Sequence, residues 1–317
     1  MPVTLAQAQQ NAVDDVDLAV IDEFRTNEIL DLLTFDDVVN PVGGGGTLTY
    51  AYRRLAELGT ASFRAINSEY APTEVSTTRH SVDLKPLGGA FQLDRVLANV
   101  GPAATGETAL QMSQKIRAAQ AEFGNAVING DSAVDEDSFD GLSKALAGSS
   151  TEVTTTLNWT GTIDEAKAFQ ILEDLDNMID LVDGQVDAII GNRRVLAKIA
   201  SAARRADMYV DAPSGPRQTR QRSYGSHRLI DAGRRAGANG EVIPIRSGGL
   251  SSLYFVRFGL DAFHGVSMAG QPLVQTWLPD FTRAGAVKTG EVEMGPVAVA
   301  LKRTKAAAVA RNIDIEA

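Results

Sequence analysis

Two stretches decide how this chain is interpreted: residues 43–52 read GGGGTLTYAY, and residues 79–85 read RHSVDLK. In both stretches apolar or aromatic side chains alternate with polar ones, which is typical of a β-strand with one covered face. The alternating positions are Leu48, Tyr50 and Tyr52 on the first strand and His80, Val82 and Leu84 on the second. The mostly polar residues between the two strands predict one long hairpin, at about 41–96, whose second strand ends in Pro86 and Gly88-Gly89.

A hairpin of this kind needs another surface to cover its apolar face, because an isolated two-stranded hairpin is marginal in water. It is also too long to be a simple connector inside a compact domain. We therefore expect residues 41–96 to form an arm that lies on a neighbouring copy of the chain. The six alternating residues are the candidate inter-subunit contacts of this arm, and the predicted function is assembly.

The composition predicts a globular protein. The chain has 317 residues, of which 44% are hydrophobic and 22% charged, enough to bury most of its unfolded surface. No apolar run approaches the ~20 residues of a membrane helix, and the first residues lack a signal-peptide pattern. We expect a cytoplasmic origin and no membrane partner. The absence of cysteine excludes disulfides, thiolate zinc sites and thiol nucleophiles.

The net charge of −10 is unevenly distributed. Residues 1–40 hold nine acids and one base, whereas residues 193–235 hold eleven bases and three acids. This separation predicts complementary surfaces between copies or with a scaffolding partner, although two unrelated solvated faces are the alternative. The candidate contacts are Asp14, Asp15, Asp36 and Asp37 on the acidic side and Arg204, Arg205, Arg217, Arg220 and Arg222 on the basic side. Non-specific contact of the basic segment with duplex phosphates also stays open.

Helical and strand patterns fill the rest of the chain. Apolar periodicity predicts one or two amphipathic helices within residues 5–35 and a longer helix over about 108–128. A buried strand at 186–190, followed by a basic helix to about residue 206, predicts an α/β unit. Further strands are expected near 242–245, 253–258, 266–268, 287–294 and 297–301.

Patterns of catalytic chemistry are weak in this sequence. The three histidines have no metal-ligand spacing, and the glycine run 43–46 lacks the Lys-Ser/Thr of a phosphate loop. Residues 265–269 read GVSMA and lack the second glycine of a nucleophile elbow. Acid pairs such as Asp14-Asp15 and Asp36-Asp37 stand in acidic segments that we expect to be solvated, where the raised pKa of a catalytic acid is not expected. We expect no catalytic, cofactor-binding or metal-binding residue, and a protein that is not an enzyme. A soluble α/β enzyme or ligand-binding protein with a discrete pocket is the alternative from another class.

The order of these elements resembles that of the major capsid proteins of tailed bacteriophages, whose fold encapsulin nanocompartments share. Local similarities are residues 123–131 (FGNAVINGD), 139–142 (FDGL), 186–192 (VDAIIGN) and 254–259 (YFVRFG). The resemblance implies a mixed α+β capsid fold. Its segments would be an N-terminal arm at 1–40, an extended two-stranded loop at 41–96, a peripheral domain with a long spine helix at 97–160, an α/β axial domain at 161–280, and a return to the peripheral domain at 281–317.

The function that this resemblance implies is structural. Copies would self-assemble into the pentamers and hexamers of an icosahedral phage head around double-stranded DNA, within a virion assembled in the host bacterial cytoplasm. The implied partners are other copies, a separate scaffolding protein, a portal, packaged DNA bound non-specifically and, as a further candidate, a decoration protein. An encapsulin-like compartment is the alternative with the same fold, and a ring-forming tail or adaptor protein is a third option.

The hairpin departs from this family in one respect. Some members cross-link the extended loop through a lysine, but residues 54–78 contain no lysine. Arg54 and Arg64 are the basic residues there, and a guanidinium group stays protonated and cannot act as an amine nucleophile. We therefore expect a shell held together non-covalently or by a separate cementing protein.

Overall fold

The computed structural model describes residues 28–39, 46–55, 61–70, 74–94, 102–206, 223–237 and 240–316. The helices are α1 (Glu28–Leu32), α2 (Pro102–Asn129), α3 (Leu142–Ala145), α4 (Glu165–Ile179) and α5 (Arg193–Arg205), with a short 3-10 helix at Thr304–Ala306. The strands are β1 (Phe35–Val39), β2 (Thr49–Leu55), β3 (Thr77–Asp83), β4 (Lys85–Asp94), β5 (Glu152–Val153), β6 (Leu157–Asn158), β7 (Ala188–Gly191), β8 (Ser223–Tyr224), β9 (His227–Asp231), β10 (Leu250–Val256), β11 (Phe263–Met268), β12 (Val274–Trp277), β13 (Val287–Leu301) and β14 (Ala307–Asp314).

Two sheets and one separate hairpin organise these strands. A five-stranded sheet has the order β1-β11-β13-β12, with β4 also paired to β13. A seven-stranded sheet has the order β5-β14-β10-β7-β9-β8, with β6 also paired to β14, while β2 and β3 pair only with each other among the described strands. Together with the helices they make a mixed α+β fold, which confirms the predicted fold class.

The seven-stranded sheet lies between two hydrophobic clusters, because side chains of a strand alternate between its faces. Tyr254 and Val256 of β10 join the cluster that contains α2 and the five-stranded sheet. Leu253 and Phe255 of the same strand join the cluster formed with α4 and α5. Covering on both faces explains why the central strands are almost uniformly apolar in sequence.

Helix α2 is the long helix that periodicity predicts, but it begins earlier, at Pro102. Proline is favoured in the first turn of a helix because its missing N–H would have no helical partner there. With 28 residues the helix is about 42 Å long. Its buried side chains, including Ile116, Phe123 and Val127, belong to the cluster that the five-stranded sheet shares. The helix is therefore a rigid support beneath β4 and β13.

Strand β4 corrects the predicted end of the hairpin. The sequence places that end at Pro86 and at Gly88-Gly89, whereas β4 runs through them and pairs with β13. Pro86 is accommodated because it lies where the β4–β13 register shifts, and proline is tolerated at such irregular positions. As a result, β3 and β4 are separated by Leu84 alone and form nearly one continuous stretch.

The N-terminal segment also differs from the prediction in its described part. The helix expected over residues 5–35 ends at Leu32, and Phe35 begins β1, which pairs in parallel with β11. Residues 1–27 lie outside the described residues, as does the rest of that prediction. No described helix has the length and apolar character that a membrane crossing requires.

The predicted domain segments are distributed over both sheets. Strands β11 and β12 come from the segment 161–280, and they pair in the five-stranded sheet with β13. Strand β14 comes from the segment 281–317 and pairs in the seven-stranded sheet with β10. The division into arm, loop, peripheral and axial domains stays a prediction.

Candidate functional site

The hairpin of β2 and β3 has the register that the sequence pattern predicts. The two strands are antiparallel, with Tyr50 opposite Val82 and Tyr52 opposite His80. These four side chains therefore share one face, and the ring of Tyr52 stacks on that of His80 with centroids 5.8 Å apart. The other two predicted residues, Leu48 and Leu84, lie at the base of the hairpin, where Leu84 N donates to Leu48 O at 2.8 Å.

The tyrosine face anchors the hairpin to its own chain. Tyr52 Oη donates to Leu301 O at 2.9 Å, and Arg54 Nε donates to Lys302 O at 3.1 Å. Tyr50 is buried, and its hydroxyl donates to Asp36 Oδ2 at 3.2 Å. These contacts fix where the hairpin leaves the five-stranded sheet. The role of the six alternating residues as inter-subunit contacts stays a prediction.

A buried histidine lies beneath this anchor. His264 is fully buried, with Nε2 4.0 Å from Asp36 Oδ2 and its ring edge-on to Tyr50. Lys302 Nζ lies 3.7 Å from the same carboxylate oxygen. Burial, with the Lys302 ammonium nearby, lowers the pKa of His264. Within the described part of the chain, neither ring nitrogen makes a hydrogen bond of normal geometry, so His264 packs as a neutral side chain.

Asp36 corrects a second expectation about the acidic arm. Acid pairs of this arm are expected in solvated segments, but the Asp36 side chain is only 17% exposed because β1 is covered by the hairpin. Asp37 points to the other side of β1, is exposed, and accepts from Gly270 N at 3.4 Å. Adjacent carboxylates therefore have different environments, as alternation along a strand requires.

The distal part of the hairpin exposes large apolar side chains. Phe63 is fully exposed and Ile66 is 91% exposed, and Tyr70 and Val75 are also exposed. Arg64 organises this turn: its Nη1 donates to Ser68 O at 3.0 Å, and its guanidinium lies over the Tyr70 ring. The sequence of this stretch is mostly polar, which predicts an ordinary exposed loop. The feature that this prediction overlooks is the pair of bulky apolar residues Phe63 and Ile66, because exposed apolar patches mark contact sites.

The basic candidates are only partly described. Arg204 and Arg205 are exposed in the last turn of α5, and Arg204 Nε donates to Ala200 O at 3.1 Å. The candidates that lie outside the described residues are Asp14, Asp15, Arg217, Arg220 and Arg222. The predicted pairing of the acidic and basic segments therefore stays a prediction.

A small polar cleft lies between the hairpin base and the loop that follows α2. It has a volume of about 240 Å³, and its lining includes Asp83, Lys85 and Glu136. Lys85 Nζ already donates to Glu136 O at 2.6 Å, so this lysine ties the loop to β4. Among the described residues, no group of three or more His, Asp or Glu side chains is placed to hold a metal ion.

The fold is shared with known proteins, although the sequence is not. No family model matches the chain, and no curated protein matches its sequence. Solved structures do match over nearly the whole length. The holo-SrpI encapsulin complex from Synechococcus elongatus PCC 7942 is 13% identical at a TM-score of 0.60, covering 90% of this chain and 87% of that one. The capsid of Myoviridae phage XM1 is 11% identical at a TM-score of 0.52, covering 90% and 91%.

The chain has the capsid fold. A third structure, the capsid of a native GTA particle, agrees at 11% identity and a TM-score of 0.58, covering 89% of both chains. Because the matched regions span nearly all of each chain, the capsid fold here includes both sheets and their connections. The resemblance that the order of elements indicates is therefore confirmed for the fold. The sequence identities to these structures are only 11–13%, so the similarity lies in the fold far more than in the amino-acid sequence.

Proposed function

We propose that this protein is a shell subunit that self-assembles, through its extended hairpin, into a closed particle. The observation that carries the proposal is the hairpin tip, where Phe63 and Ile66 are held in solvent by a turn that Arg64 organises. The capsid fold, found in capsids and in an encapsulin, supports the same function.

The tip supplies enough apolar surface to matter in assembly. Burying one side chain of this size stabilises a contact by roughly 1.5–3 kcal/mol. A subunit that places Phe63 and Ile66 on a neighbour offers its own receiving surface to a further copy. Such a head-to-tail contact either closes into rings or continues as a filament, depending on the rotation between copies. The repeated contact is consistent with a shell of many subunits.

The finer proposal is a major capsid protein that forms pentamers and hexamers of an icosahedral phage head around double-stranded DNA. The charge separation between residues 1–40 and 193–235 supports specific contacts between copies or with a separate scaffolding protein. A portal and a decoration protein belong to the same proposal, as does a virion location after assembly in the host cytoplasm. The protein acts as a structural component and not as an enzyme.

An encapsulin-like compartment is the second candidate, because an encapsulin complex shares the fold at a TM-score of 0.60. Particle contents distinguish the two functions. Particles purified from the producing cells and treated with nuclease are expected to retain protected double-stranded DNA. Particles that instead hold one stoichiometric protein cargo and no protected DNA would contradict the phage-head proposal and support the compartment.

A further inference from the structure

The outward face of the hairpin carries two arginines that repel each other. Arg53 of β2 lies directly opposite Arg79 of β3, on the face away from Tyr52. Both side chains are exposed. Like charges directly opposite each other on paired strands are destabilising, and among the described residues neither arginine makes an ion pair. The neighbouring Arg54 differs, since it is used within the chain to bind Lys302 O.

A surface suited to these arginines lies on the five-stranded sheet. Glu291 and Glu293 are two residues apart on β13 and therefore share a face, while Val292 between them is buried. Trp277 of β12 lies opposite Glu291 and is 46% exposed, and Gln275 lies opposite Glu293. Carboxylates bind a guanidinium through paired hydrogen bonds, and an indole face attracts it through its π-electrons. Neither carboxylate makes an ion pair with a described residue.

The two surfaces of one chain are too far apart to meet. Arg79 lies in β3, and Ala90 of β4 is the residue opposite Glu291. Eleven residues separate these positions along the β3–β4 stretch. The other end of the hairpin is fixed as well, because Tyr52, next to Arg53, donates to Leu301 O, and Glu291 lies ten residues from Leu301 along the same strand β13, about 33 Å away. No arginine side chain spans that distance, so the partner of each surface is a second copy of the chain.

We propose that Arg53 and Arg79 of one copy bind the carboxylates of Glu291 and Glu293, beside Trp277, on the next copy. This proposal rests on the proposed shell function and identifies the residues of one interface between subunits. Since the two surfaces lie at opposite ends of the β3–β4 stretch, the contact is head-to-tail and repeats from copy to copy. It also relieves the repulsion between the paired arginines, which gives this hairpin a preference for an acidic strand face.

The test is a charge exchange in the full chain. One variant carries Arg53→Glu with Arg79→Glu, a second carries Glu291→Arg with Glu293→Arg, and a third carries all four changes. The concentration at half-assembly, measured by light scattering and electron microscopy, is expected to rise at least about tenfold in each double variant. The fourfold variant is expected to return to within a few-fold of the wild type.

Glu173→Lys provides a matched control, because it reverses an exposed charge on α4, and it is expected to assemble like the wild type. If a reversal variant does not fold, Arg53→Gln with Arg79→Gln tests the same contact. Its half-assembly concentration is expected to rise and to depend less on salt. Two results would overturn this contact but not the shell proposal. In the first, the wild type assembles and the double variants have the same half-assembly concentration as the wild type. In the second, the double variants fold but assemble poorly, and the fourfold variant does not restore assembly. A wild-type protein that never assembles overturns the shell proposal itself.

Discussion

The buried histidine under the hairpin anchor predicts how the subunit responds to acid. His264 is fully buried beside Asp36, Tyr50 and Lys302, and burial lowers its pKa in the folded chain. In the unfolded chain His264 binds a proton with a pKa of about 6.5, whereas in the folded chain it binds that proton only at lower pH. Stability is therefore retained above that pH and is lost as the pH falls below it.

The size of the loss follows from the same proton. Each pH unit below about 6.5 lowers the free energy of unfolding by up to about 1.4 kcal/mol, until the folded histidine also titrates. At pH 5 the loss attributable to His264 is at most about 2 kcal/mol. Because its neighbours anchor β2 to β1 and β13, the hairpin base is expected to loosen first.

Urea unfolding of the unassembled subunit, measured at several pH values between 7.5 and 5, tests this prediction. His264→Gln is the matched control, since glutamine fills a similar volume and does not titrate. The difference in unfolding free energy between wild type and variant is expected to shrink by about 1–2 kcal/mol as the pH falls. A difference that stays constant over this range would refute the assignment of His264 as a neutral packing residue.

Three further predictions concern the hairpin and its support. Phe63→Ser with Ile66→Ser is expected to raise the half-assembly concentration more than tenfold without unfolding the subunit. Val134→Ser, which changes an exposed valine elsewhere, is expected to leave that concentration unchanged. Equal effects of the two changes in light scattering would contradict the role of the tip. Gly265→Ala places a Cβ 2.6 Å from the Phe35 ring and is expected to cost about 1–3 kcal/mol in urea unfolding, against little for Gly46→Ala, which meets no atom within 4 Å. Particles boiled in detergent are expected to run as single subunits on a gel, and covalent ladders would show that a group other than a tip lysine cross-links them.

The parts of the fold that local patterns encode could be predicted from sequence. Alternation placed Tyr50 and Tyr52 on one face, and the β2–β3 register confirms it. Apolar periodicity found α2, although its true start depends on Pro102. The path of β4 through Pro86 could not be predicted, because it depends on pairing with β13, some two hundred residues away in sequence.

Long-range contacts also explain what was missed at the candidate site. Asp36 stands in an acidic stretch whose composition indicates solvent, yet its environment comes from His264 and Lys302, which no local pattern connects to it. The exposed tip gave a local signal in Phe63 and Ile66, but the surrounding polar residues outweighed it. Contacts with other copies have no signature within a single chain beyond such exposed or unpaired side chains.

The most direct test of the shell account is the particle state of the purified full-length chain. Size-exclusion chromatography with negative-stain electron microscopy is expected to show closed particles, or ring-shaped capsomers that close when concentrated. A folded subunit that stays a monomer or dimer at every concentration and salt tested, with its hairpin intact, would contradict the account.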